Sequence, residues 1–67
     1  MSEPTYATTP GPELSKAREA LGAGVGQVAA QLGVSRTTVW RLERNPAVSL
    51  LMARAYHDAL ARIAEAH

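Results

Sequence analysis

Three arginines, Arg36, Arg41 and Arg44, fall within nine consecutive residues, where only Glu43 opposes them. If that stretch is helical, at ~100° per residue, Arg36, Thr37, Trp40, Arg41 and Arg44 share one side. Thr38, Val39, Leu42 and Glu43 share the other. A guanidinium offers a rigid fork of donors that fits phosphate oxygens or the O6 and N7 acceptors of guanine. The chemistry on offer is therefore recognition of an anionic, edge-patterned partner rather than bond making. Groups for catalysis do not assemble at workable spacing. The chain has no cysteine, which excludes disulfides, thiolate zinc sites and thiol nucleophiles. His57 and Asp58 are neighbours that would diverge by ~100° on a helix, and neither His57 nor His67 has a second cluster of ligands near it. The expectation is a binding protein: not an enzyme, with no cofactor, no metal and no small-molecule substrate.

Size and composition agree with that expectation. Sixty-seven residues make one domain, and a chain so short buries only ~60% of its unfolded surface. The formal net charge of +1 is too weak for a protein that coats nucleic acid indiscriminately. A local basic face on a nearly neutral chain instead fits a partner read through a few contacts. With no phenylalanine and 4% aromatic residues, a base-stacking platform for single strands is not expected. No apolar run approaches the ~18 residues of a membrane span, and no secretory signal pattern opens the sequence. No membrane partner and a cytoplasmic or nucleoid-associated location are expected.

The elements that would carry the arginines are marked by glycine, proline and serine. Residues 1–10 contain Pro4, Pro10, Ser2 and three threonines, too little apolar surface to repay ordering, and predict a flexible arm. Residues 11–67 form the domain. Gly11-Pro12 opens a first helix with Leu14, Ala17, Arg18 and Leu21 at helical spacing, and Gly22 stops it. Gly22, Gly24 and Gly26 lack the preceding strand and following lysine of a phosphate loop, so they read as a connector. A second helix spans about Val25–Leu32, with Val25, Val28, Ala29 and Leu32 inward and Gln27, Ala30 and Gln31 outward. Gly33 ends it, and Ser35 is placed to cap a third helix to Arg44. Asn45-Pro46 ends the third, and Ser49 caps a fourth running to about Ala66. The apolar stripe of the fourth comprises Leu51, Met52, Ala55, Tyr56, Ala59, Leu60 and Ile63. That stripe is long for so small a core, which makes Leu60 and Ile63 candidates for contact with a second copy in a homodimer. The predicted fold is an all-α bundle of four helices, or five, without strands.

The run Val25–Arg44, VGQVAAQLGVSRTTVWRLER, meets each requirement of a helix-turn-helix. Ala29 is small where two helices meet, Gly33 makes the reversal and Val34 plugs the corner. Val39 and Leu42 anchor the second helix, whose polar face is left for a major groove. This run, with LSKAREALG before it and NPAVSLLMARAYHDAL after it, resembles the Cro and lambda-repressor-like regulators of phages and bacteria over roughly residues 14–60. The resemblance implies a sequence-specific double-stranded-DNA-binding transcriptional regulator. It places Arg36, Thr37 and Arg41 at base edges. Ser35, Arg44 and Asn45 would hold the backbone, with Trp40 lying along it. Arg18 and Glu43 fall where relatives carry a partly buried ion pair, and Arg18 could also reach a phosphate. There are departures. Val25 stands where many members have a phosphate-binding glutamine, a contact Gln27 would have to supply. Gly24 replaces a capping side chain, and little chain follows the fourth helix for a further dimerisation element. The SRTTVWR run also resembles the DNA-binding end of resolvase-type recombinases, which keeps an excisionase-like or architectural factor open. The apolar tail of the fourth helix keeps open a protein-interaction module such as an antitoxin or antirepressor.

Overall fold

Helix boundaries in this protein are set by residues that cannot continue a helix. The computed structural model describes residues 8–66, in the order β1 (Thr8–Thr9), α1 (Gly11–Leu21), α2 (Val25–Leu32), α3 (Arg36–Arg44), β2 (Val48–Ser49) and α4 (Leu50–Ala66). Pro10 caps α1, with Pro12 in its first turn. Gly22 then leaves α1 at φ 79°, and the Ala23 amide closes the turn on the Arg18 carbonyl at 3.1 Å. Gly33 leaves α2 at φ 73°, with the Val34 amide on the Ala29 carbonyl at 3.0 Å. Both glycines occupy the left-handed region that other residues enter at a cost.

Serines start the next two helices. Ser35 Oγ accepts from the Thr38 amide at 3.1 Å, and Ser49 Oγ accepts from the Met52 amide at 3.2 Å. Each satisfies one of the orphan donors of a helix start. Ser35→Ala should therefore lower the unfolding free energy by about 1 kcal/mol, read from urea-denaturation midpoints. A loss below about 0.3 kcal/mol would show that the cap is dispensable.

The core gathers Leu14 from α1, Val28 from α2, Val39 from α3, Val48 from β2 and Tyr56 and Ala59 from α4. The 17-residue α4 lies against α1, α2 and the strands, whereas α3 lies against α1 and α2. The result is an all-α bundle with one two-stranded scrap of sheet. Among the described residues there is no fifth helix, and no helix is long and apolar enough to cross a membrane.

Three expectations are corrected. A flexible arm over residues 1–10 does not hold for its last part: Thr8 and Thr9 pair antiparallel with Ser49 and Val48, and Pro10 caps α1. Residues 1–7 lie outside the described residues. The pairing also overturns the strand-free reading, because two-residue strands are too short to leave a period-two pattern. The inward stripe of α4 matches the predicted one except in its first turn, where Ala53 takes the inward place expected of Leu51. Ala53, Tyr56, Ala59, Leu60 and Ile63 are buried, Met52 and Ala55 are half-buried, and Leu51 is 78% exposed. Leu60 and Ile63, the residues expected to meet a second copy, pack into the chain's own core at 7% and 4% exposure.

Candidate nucleic-acid interface

The position of α3 is set first at its C-terminal end. The Gly11 amide, at the start of α1, donates to the Asn45 carbonyl at 2.7 Å. An amide-rich helix start thus meets the carbonyl-rich end of another helix, and orphan groups of both are satisfied. The approach is close enough that a Cβ on Gly11 would fall within 3.0 Å of the Leu42 carbonyl oxygen, the Asn45 carbonyl oxygen and the Glu43 carbonyl carbon. All three are backbone atoms that no side-chain rotation can move.

The second fixture is the carboxylate of Glu43, which is 6% exposed. Arg18 holds it in bidentate fashion, Nε to Oε2 at 2.7 Å and Nη2 to Oε1 at 3.2 Å. Arg18 Nη1 also donates to the Ala23 carbonyl at 3.0 Å, tying down the connector before α2. From α4, the Tyr56 hydroxyl donates to Glu43 Oε2. No buried polar side-chain atom among the described residues is left without a partner. Arg18 donors are thus directed inward, onto Glu43 and Ala23, rather than at a phosphate. Its hydrogen bond to Glu43 leads the causes that raise its pKa further, against the opposing effect of burial.

Burial, then the hydrogen bond to Glu43 and that carboxylate's charge, push the Tyr56 hydroxyl above its ordinary pKa, which is near 10. The sign of the consequence follows. The unfolded chain gives up this proton at lower pH than the folded one, so the stability from the neutral hydroxyl is complete below about pH 10 and is lost as pH rises beyond it. The thermal midpoint should begin to fall near pH 10, and Tyr56→Phe should flatten that fall. An unchanged alkaline limb in Tyr56→Phe would assign the loss to other groups.

With Glu43 turned inward and neutralised, the outer face of α3 keeps only its positive charges. Arg36, Thr37, Trp40, Arg41 and Arg44 are all exposed. Among the described residues none of these three arginines makes an ion pair. Arg44 stacks on Trp40, its guanidinium carbon 4.9 Å from the ring centroid, one helical turn away. Trp40 is 56% exposed, so the stack contributes about 0.5–1 kcal/mol. It mainly gives Arg44 a fixed direction. The guanidinium of Arg36 lies along the first turn of α2: a Cβ on Gly26 would sit 3.0 Å from Arg36 Nε. Val25, Arg36, Thr37 and Trp40 line an open pocket of 260 Å³ on the same face.

The remaining expected contact residues are occupied locally. Gln27 Oε1 accepts from the Gly24 amide at 2.8 Å, so Gln27 caps α2 where Gly24 has no side chain to do so. The Ser35 hydroxyl is engaged with Thr38, its amide at 3.1 Å and its Oγ1 at 3.0 Å. Asn45 Oδ1 accepts from the Ala47 amide at 2.9 Å, shaping the turn into β2. Sequence reasoning missed two fixtures of α3. Gly11 was read as a helix entrance, and Tyr56 as core alone, because neither contact leaves a local pattern. Comparison with known proteins adds nothing to this geometry: no family model, no curated protein and no solved structure matches the chain.

Proposed function

We propose that this chain is a helix-turn-helix DNA-binding protein, specifically a transcriptional regulator of the Cro and lambda-repressor-like kind that reads double-stranded DNA with α3. The observation that carries the reading is the division of α3. Val39 and Glu43 are buried, while Arg36, Thr37, Arg41 and Arg44 stand exposed with no ion pair among the described residues. A nine-residue helix is about 13.5 Å long and enters a major groove about 12 Å wide. Arg36 and Arg41 face the base edges with Thr37 between them, and Arg44, steadied by Trp40, takes a phosphate. Such a helix covers only a few base pairs, so two copies would read half-sites about one helical turn apart.

Selection of bound duplexes from a random pool tests the reading. A recovered sequence motif, palindromic if two copies bind, is the expected result; recovery of no motif rejects sequence-specific binding. Binding to the recovered duplex should weaken about 100-fold between 50 and 200 mM salt, as for roughly four neutralised phosphates. Binding that does not respond to salt would favour the second reading, a protein-interaction module. What supports that alternative is the exposed pair Leu50 (49%) and Leu51 (78%) at the start of α4, at the opposite end from the tail on which it was expected to rest.

A further inference from the structure

The geometry points to Tyr56 as a positioning residue for sequence reading: through Glu43 it fixes which way α3 faces, an inference that rests on the DNA-binding reading above. Two kinds of contact hold α3 in place. Val39 and Leu42 bury apolar surface, and that attraction is non-directional. It presses the helix onto the core and sets its roll about its own axis only coarsely. The groups that specify roll are directional. These are the Gly11 amide on the Asn45 carbonyl at the helix end and the donors converging on Glu43, two from Arg18 on α1 and one from Tyr56 on α4. The helix α4 does not lie along α3 as α1 and α2 do, so the Tyr56 hydroxyl is its hydrogen bond to that helix.

Glu43 follows Arg41 and Leu42 and precedes Arg44 on the same rigid segment. A roll of ~20° moves a group at the ~6 Å side-chain radius by about 2 Å. The window in which a hydrogen bond keeps its strength is only ~0.5 Å wide. Contacts to base edges would be lost at such a displacement, whereas attraction to phosphates, which falls off slowly with distance, would largely survive. Losing the Tyr56 hydroxyl should therefore erode discrimination between sequences more than affinity for DNA as such.

Tyr56→Phe keeps the buried ring and removes one donor, leaving Glu43 paired with Arg18. The experiment measures dissociation constants for two duplexes of equal length, the one recovered from the random pool and one of scrambled sequence, at a temperature where circular dichroism shows the variant folded. The expected result is a roughly 10-fold fall in the ratio of the two affinities with the salt dependence unchanged. Backbone ¹⁵N relaxation dispersion on the free protein should also show new exchange at amides of α3 and not at those of α2. An unchanged ratio with quiet α3 amides overturns the inference, and so does an equal weakening for both duplexes. If Tyr56→Phe does not fold, Glu43→Gln decides on the same ratio, expected to fall in the same direction. A wild-type protein that fails to distinguish the two duplexes would sink the DNA-binding reading instead. The relaxation measurement, made without DNA, would still judge the role of Tyr56.

Discussion

Replacing Gly11 with alanine is expected to lower the thermal midpoint by roughly 8–32 °C. The added methyl would overlap backbone atoms of Leu42, Glu43 and Asn45, so α1 and α3 must separate. Overpacking of this kind costs about 1–3 kcal/mol, and the amide of Gly11 also loses its bond to the Asn45 carbonyl, about 1 kcal/mol more. A chain of 67 residues has only about 3–10 kcal/mol to lose, and in so small a domain each kcal/mol moves the midpoint by about 4–8 °C. Gly24→Ala is the matched control. Its methyl would meet only Gln27 Oε1, at 3.9 Å, with φ at −88°, and the midpoint should change by no more than a few degrees. If Gly11→Ala and Gly24→Ala melt alike, the end-to-end contact of α1 and α3 is not the constraint it is argued to be.

The second large effect is on binding. Arg36→Ala with Arg41→Ala should cut affinity for the recovered duplex by about 30-fold or more, since each bidentate contact to guanine discriminates by about 1–3 kcal/mol. Folding should hardly notice. Both side chains are exposed and without ion pairs among the described residues, and surface substitutions of that sort stay within about 1 kcal/mol for the pair. Isothermal titration against the duplex, paired with urea denaturation of the free variant, separates the two outcomes. A variant that binds normally removes these arginines from the interface. A variant that unfolds shows that the face packs inward.

Much of this architecture is written in local chemistry. Gly22 and Gly33 stop helices because only glycine enters the left-handed region freely. Ser35 and Ser49 start them because a short hydroxyl can accept from the amide three residues on. The separation of Val39 and Glu43 from the arginines follows from helical period alone. Features made through space left weaker traces or none. Leu50, Leu51, Met52 and Ala53 are four apolar residues in a row, so periodicity could not decide which of them faces inward in the first turn of α4; Ala53 is buried and Leu51 exposed. A tyrosine in an apolar stripe looks the same whether or not its hydroxyl meets a carboxylate 13 positions away. Gly11 reads as punctuation until α3 is seen to end against it.

The sharing of one acid among three segments also restricts how this sequence can drift over evolutionary time. Loss of Arg18 alone strands a charge in the interior, and loss of Glu43 alone strands the donors, including the Tyr56 hydroxyl; breaking a buried ion pair from one side costs about 3–5 kcal/mol. Positions 18, 43 and 56 should therefore vary as a set among descendants. An all-hydrocarbon trio of matching volume would be a tolerable replacement, whereas a piecemeal route to it passes through proteins that barely hold together.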